Sequence, residues 1–149
     1  MIHAGTQGAS VDSATNTVTY SGSTITIDVI AVQPDKPDTT FEIAGPVDPT
    51  LHLPRNAIVT IRLINMDNGA DMPHGLVVTS TPPPYPFMTT PMMGGTTGGI
   101  RPLAARSATD VQYQAGSARF RTTTAGTYYY LCQVPGHAQK GMYGRIIVQ

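Results

Sequence analysis

Apolar and polar residues alternate along much of this chain with the period of two that is typical of half-buried β-strands. Residues 57–65 (AIVTIRLIN) show the pattern most clearly, and residues 24–32 (TITIDVIAV) repeat it. In the first run we expect one apolar and one polar face: Val59, Ile61 and Leu63 against Thr60 and Arg62. The pattern therefore predicts strands that each bury one side.

Turn residues separate these short runs throughout, since the chain has 13 Pro and 15 Gly. No stretch of helical period is convincing, and residues 102–108 could form one or two turns at most. Many short strands with regular Pro and Gly punctuation predict an all-β sandwich or barrel, here with about seven to nine strands.

One long segment, residues 80–101, is rich in Pro and Gly and predicts a loop. It is too apolar for a free linker, because it carries Tyr85, Phe87, Met88, Met92 and Met93. Long loops in compact domains usually have a function. We expect this one to fold over one end of the sandwich.

The 149 residues suit one domain, and we expect a short polar N-terminal extension (1–17) before a single domain (18–149). Nine basic and nine acidic residues balance, which argues against nucleic acid as a partner. No apolar run reaches the roughly 18 residues of a membrane span, and the first residues do not resemble a signal peptide. We expect a monomer without membrane insertion.

Candidate chemistry lies near the end of the chain, where Cys132, His137 and Met142 follow the spacing C-x4-H-x4-M. Cys132 is the single cysteine, so it cannot form an internal disulfide. A strand ends at this cysteine, Pro135-Gly136 turns the chain, and another strand follows Met142. Taken singly, such a residue more often packs in the core than binds a metal. Their joint spacing instead predicts a metal site, with a second imidazole from His74 at the start of another strand.

Two His and one Cys with a weak axial Met are the ligands of a type 1 copper site. Soft sulfur favours Cu(I), and imidazole suits both oxidation states. We therefore predict one copper, cycling between Cu(I) and Cu(II), on His74, Cys132, His137 and Met142. His3 and His52 are not expected to be ligands.

The sequence resembles the cupredoxin family, and within it the rusticyanins, from about Val18 to the C-terminus. The resemblance rests on VTYSG (18–22), DPTL (48–51), PPY with Met88 three residues on (83–88) and AGTYYYLCQVPGHAQKGMYG (125–144). It implies a Greek-key β-sandwich with copper near one end, and the same four ligands. It also implies an acid-stable periplasmic electron carrier of iron-oxidising acidophiles, with redox proteins such as a cytochrome c as partners. One departure is Gly75, because this family has Ser after the first ligand His.

His137, in the ligand loop, should be the ligand nearest the surface. Apolar residues around it would serve as a docking patch or would seal the metal from water. The candidates for these neighbouring roles are Met72, Pro73, Gly75, Tyr85, Phe87, Met88 and Pro135.

Three other functions compete with electron transfer. A multicopper enzyme would need a His beside Cys132, but its neighbours are Leu131 and Gln133. We therefore expect an electron carrier and not an enzyme. A copper chaperone or storage protein is the main alternative, because Met88, Met92 and Met93 could bind Cu(I). A β-sandwich that binds no metal would leave the Cys-His-Met spacing unexplained.

Overall fold

A computed structural model describes residues 8–34, 36–69, 72–89, 96–107, 109–110 and 112–149. Within these residues the chain forms eleven strands and one short 3₁₀ helix. The strands are β1 (Ala9–Asp12), β2 (Thr17–Tyr20), β3 (Thr24–Ala31), β4 (Phe41–Ile43), β5 (Thr50–Leu53), β6 (Ile58–Asn65), β7 (His74–Thr79), β8 (Thr96–Leu103), β9 (Gln114–Arg121), β10 (Gly126–Leu131) and β11 (Tyr143–Val148), and the helix is Ala138–Lys140. No helix in the described part is long and apolar enough to span a membrane.

The strands form two sheets that share one apolar core, which confirms the predicted all-β sandwich. The larger sheet has the order β1-β2-β5-β11-β10-β7-β8, and the smaller one has the order β4-β3-β6-β9. Most neighbours are antiparallel, but β3 runs parallel to β6, and β5 runs parallel to both β2 and β11. Parallel neighbours need long crossovers, so distant parts of the chain meet in each sheet.

The predicted faces of β3 and β6 are confirmed. Val59, Ile61 and Leu63 are buried and Arg62 is exposed. The one charged side chain of β3, Asp28, is also buried, and the Nη2 atom of Arg62 donates to it over 2.8 Å. The two residues form this ion pair because they lie opposite each other in the parallel pairing of β3 and β6.

Part of the predicted loop 80–101 is wrong, because Thr96–Leu103 forms β8 against β7. The glycines there had suggested turns, but Gly99 lies opposite Val77, and a Cβ on Gly99 would come within 2.8 Å of the Val77 side chain. A strand glycine often marks such a close approach. Pro102 is tolerated because β8 is an edge strand.

Two further expectations about elements are wrong. Residues 102–107 form no helical turn, since β8 continues to Leu103 and irregular backbone follows. Residues 114–121 form one continuous strand, β9, and not several short ones. β1 lies within the predicted N-terminal extension and pairs with β2, and the described strands exceed the expected seven to nine.

Candidate metal centre

The order of the larger sheet brings three strand ends together. β10 lies between β7 and β11 and is antiparallel to both. The end of β10 therefore lies beside the start of β7, which is His74, and the start of β11, which follows Met142. Cys132 comes directly after β10. Residues far apart in sequence thus meet at one end of the sandwich.

The loop between β10 and β11 is closed by backbone hydrogen bonds. The N–H of Cys132 donates to the carbonyl of Met142, and the N–H of Met142 donates to the carbonyl of His137, each over 3.1 Å. Gly136 and Gly141 have positive φ angles of 84° and 106°, which glycine adopts without strain. These bonds hold the cysteine and methionine backbones side by side.

Three potential ligand atoms converge there. The ligand atoms of His74, Cys132 and His137 all lie within 4.8 Å of one another. The Cys132 Sγ lies 3.5 Å from Nδ1 of His137 and 4.0 Å from Nδ1 of His74. The two imidazole rings are 4.9 Å apart between centroids. His74 and Cys132 are fully buried, whereas His137 is 8% exposed.

This donor set suits copper. One thiol and two imidazoles within bonding reach of a common point match the trigonal ligands of a type 1 site. Met142 is fully buried in the same apolar cluster as Cys132. The arrangement offers soft sulfur and imidazole in a buried, apolar environment.

Burial also shapes the acid–base properties of these groups. Burial raises the pKa of the Cys132 thiol, although the N–H groups of Gly75 and Val134 donate to its sulfur and oppose that rise. Burial lowers the pKa of His137, and the neighbouring His74 and Lys140 lower it further. A low pKa keeps the imidazole neutral, which is the form that binds metal.

A carboxylate that the sequence reasoning missed contacts one of the imidazoles. Asp67 Oδ2 lies 2.8 Å from Nε2 of His74, and both side chains are buried. Asp67 follows β6 closely in a polar stretch that begins at Asn65. Carboxylates often support metal-binding histidines in this way, so a polar cluster after a core strand was the available signal.

Gly75 has a spatial reason that the sequence did not reveal. A Cβ at this position would lie 2.6 Å from the Nε2 atom of Gln133, so the amide of Gln133 occupies the space. That amide donates to the carbonyl of Ile100 over 2.7 Å, while its buried Oε1 has no hydrogen-bond partner among the described residues. Gln133 therefore packs beside the cysteine where a larger residue 75 would otherwise reach.

The expected neighbours of the site fall into two groups. Phe87 and Met88 are 57% and 53% exposed, and Pro135 is also exposed. The Phe87 segment packs on the ligand loop, because the N–H of Gly136 donates to the carbonyl of Phe87 over 2.8 Å. We call Phe87, Met88 and Pro135 the apolar rim.

The remaining candidates are less accessible. Tyr85 is buried, packs edge-on against Tyr143 and donates to the carbonyl of Thr81, so it stabilises the loop and does not reach the rim. Met72 and Pro73 are half-buried. His52 lies in β5 beside Gln149, away from the cluster, while His3, Met92 and Met93 lie outside the described residues.

Comparisons with known proteins agree with this arrangement. Residues 56–149 match the model of a family described as copper binding proteins, plastocyanin/azurin family. Rusticyanin of Acidithiobacillus ferridurans is 39% identical over 139 residues, which cover 90% of this chain and 68% of that protein. A rusticyanin of Acidithiobacillus ferrooxidans is 39% identical over 137 residues, which cover 90% of this chain and 82% of that protein.

Solved structures give the same result. A structure of rusticyanin from Thiobacillus ferrooxidans superposes with a TM-score of 0.81 at 36% identity, covering 96% of this chain and 88% of the other. A structure of reduced rusticyanin has a TM-score of 0.81 at 34% identity, covering 96% and 91%. The fold is thus the one that these rusticyanin structures have.

Proposed function

Because the chain belongs to the plastocyanin/azurin family of copper-binding proteins, we propose that it carries single electrons on one copper ion held by His74, Cys132, His137 and Met142. The observation that carries the proposal is the buried convergence of one thiol and two imidazoles within 4.8 Å at the end of the sheet. The domain that holds the site is proposed to span residues 18–149.

Copper in such a site alternates between Cu(I) and Cu(II) and exchanges one electron without any bond change in a substrate. The residues of the chain hold the ligands still and exclude water. Backbone hydrogen bonds close the loop from Cys132 to Met142, and the apolar core surrounds both sulfur-bearing side chains. A rigid, dry site requires little rearrangement between the two states. The protein is an electron carrier and not an enzyme.

Partners should meet the protein at the apolar rim. His137 is the most exposed of the four proposed ligands, and Phe87 packs on the turn beside it. A small apolar surface supports brief complexes with fast exchange. We propose that a redox protein such as a cytochrome c docks here. The resemblance further supports a periplasmic or other extracytoplasmic location in an iron-oxidising chain that works in acid.

The test is a redox titration of the copper-loaded protein with its visible spectrum. We expect an intense blue band that disappears on reduction and one copper per chain. Cys132→Ser should abolish the band, because the band requires the thiolate. Met142→Leu should keep the band and raise the reduction potential, because a weak axial donor stabilises Cu(II).

His52→Ala is the matched control, since this histidine lies outside the cluster, and it should leave spectrum and potential unchanged. Absence of the blue band in the unaltered protein would overturn the proposal. A bound metal that exchanges within seconds would instead favour the copper chaperone alternative. An unchanged reduction potential in Met142→Leu would show that Met142 is not a ligand and would leave the other three proposed ligands in place.

A further inference from the structure

The imidazole of His74 contacts a carboxylate through the ring nitrogen that points away from the ligand cluster. Its Nδ1 faces the sulfur of Cys132 at 4.0 Å, and its Nε2 lies 2.8 Å from Oδ2 of Asp67. A carboxylate accepts hydrogen bonds and does not donate them. The contact therefore keeps the proton of a neutral His74 on Nε2 and leaves the lone pair of Nδ1 directed at the cluster.

Asp67 is itself held in place by its neighbours. Its N–H donates to Oδ1 of Asn65 over 2.9 Å, and its Oδ1 accepts the N–H of Gly69 over 2.7 Å. The amide nitrogen of Asn65, which is fully buried, donates to the carbonyls of Met72 and Leu103. This network joins the end of β6 to the start of β7, so the carboxylate cannot easily turn away from His74.

Charge gives Asp67 a role beyond orientation. Its side chain is only 9% exposed, so solvent screens it weakly from the metal centre. The oxidised centre carries one more positive charge than the reduced centre. Resting on the proposed function, we propose that Asp67 is a positioning residue that favours the oxidised centre through His74 and thereby lowers its reduction potential.

Of the two proposed histidine ligands, only His74 has a carboxylate neighbour in the described residues. In the described residues, His137 has no carboxylate within ion-pair distance, whereas His74 has Asp67. Asp67 also lines an open cleft that contains the exposed carboxyl group of Asp38. Asp38→Asn is therefore a matched control, because this substitution removes the same charge from the same cleft at a residue that contacts no proposed ligand.

The experiment compares Asp67→Asn with Asp38→Asn in the copper-loaded protein. The asparagine keeps an acceptor oxygen for His74 but removes the charge. We expect Asp67→Asn to weaken Cu(II) binding relative to Cu(I) about tenfold, which is ~59 mV of higher potential for one electron. Asp38→Asn should change the potential little. Both variants should keep the blue band.

A second measurement does not depend on copper. The ¹⁵N chemical shifts of His74 in the metal-free protein should show the proton on Nε2, and Asp67→Ala should shift this preference towards Nδ1. If the unaltered protein carries the proton on Nδ1, the inference is overturned even if no Asp67 variant folds.

The outcomes separate the inference from the proposed function. A blue unaltered protein whose potential is the same in Asp67→Asn as in Asp38→Asn would overturn the role of Asp67 and leave electron transfer intact. A protein without a blue band would overturn both.

Discussion

Among the carboxyl groups, Asp48 shows how a single residue can link this fold to pH. Burial raises the pKa of Asp48 to about 7, although the N–H of Phe41 donates to its Oδ1 over 2.8 Å and opposes the rise. The folded protein thus retains this proton at pH values where the unfolded chain has lost it. By linkage, Asp48 contributes most to stability in acid, and that contribution falls as pH rises from about 4 to about 7.

We therefore expect Asp48→Asn to be more stable than the unaltered protein at neutral pH, on the order of 2 kcal/mol given its partial exposure, and to show no such gain near pH 4. Urea unfolding of the metal-free protein at pH 4 and pH 7.5 measures the difference. The exposed Asp38→Asn serves as control. An equal effect of Asp48→Asn at both pH values would contradict the expected titration.

At the residue scale, some members of the site could be predicted from the sequence and others could not. Cys132, His137 and Met142 could be grouped because their spacing within one loop is local, and His74 could be added because copper needs a second imidazole. Asp67 and Gln133 could not be found in the same way. Their contacts, with His74 and across the position of Gly75, depend on how separate loops pack after folding.

At the scale of elements, the hairpin of β10 and β11 carries the loop that holds the site and anchors it to the core. Tyr130 is buried opposite Gly144, donates to the carbonyl of Pro49 over 2.6 Å and meets Phe41 edge-on. A Cβ on Gly144 would overlap the phenol of Tyr130. The glycine therefore lets one aromatic side chain cross its neighbouring strand and connect the hairpin to the rest of the core.

Gly144→Ala should destabilise the protein by about 3 kcal/mol, because Tyr130 must leave its place and its hydrogen bond. Denaturant unfolding checks this. Gly98→Ala in β8 is a suitable control, since the nearest described atom to a Cβ there would be 3.9 Å away, and it should cost much less stability. If the two variants lose the same stability, strand propensity would explain the effect and the overlap with Tyr130 would not.

Strands were predictable in proportion to their alternation. β3 and β6 each bury one apolar face, so the period of two located them and their inward residues. β8 lacks that signal, because its two glycines interrupt the alternation, Gly99 lies close against Val77 of β7, and Pro102 lies at a sheet edge. Local sequence could not distinguish these glycines from turn glycines.

For the molecule as a whole, equal numbers of acidic and basic residues leave no net charge for long-range attraction of a partner. Recognition would then depend on short-range contacts. The apolar rim is the suitable surface, because Phe87 and Met88 are two of the three large apolar side chains that are clearly exposed in the described residues. The third, Val11, lies in β1, at the other end of the strand order from β7 and β8, which flank Phe87 and Met88 in the sequence.

Met88→Lys should slow electron exchange with a cytochrome c about tenfold, which corresponds to ~1.4 kcal/mol lost from the encounter complex. The spectrum and potential should stay unchanged, because Met88 is not a proposed ligand. Val11→Lys adds the same charge far from the rim and should leave the rate unaltered. Equal rates in all three proteins, measured by stopped-flow absorbance, would exclude the rim as the docking surface.

The position of β11 inside the larger sheet also bears on how the protein comes into being. β11 inserts between β10 and β5, so it must find a parallel partner from the first part of the chain as well as its hairpin neighbour. Pairings between distant segments form slowly, because the chain must close large loops first. The proposed copper ligands after β10 should therefore reach their final, buried positions late in folding, once the distant strands have joined the sheet.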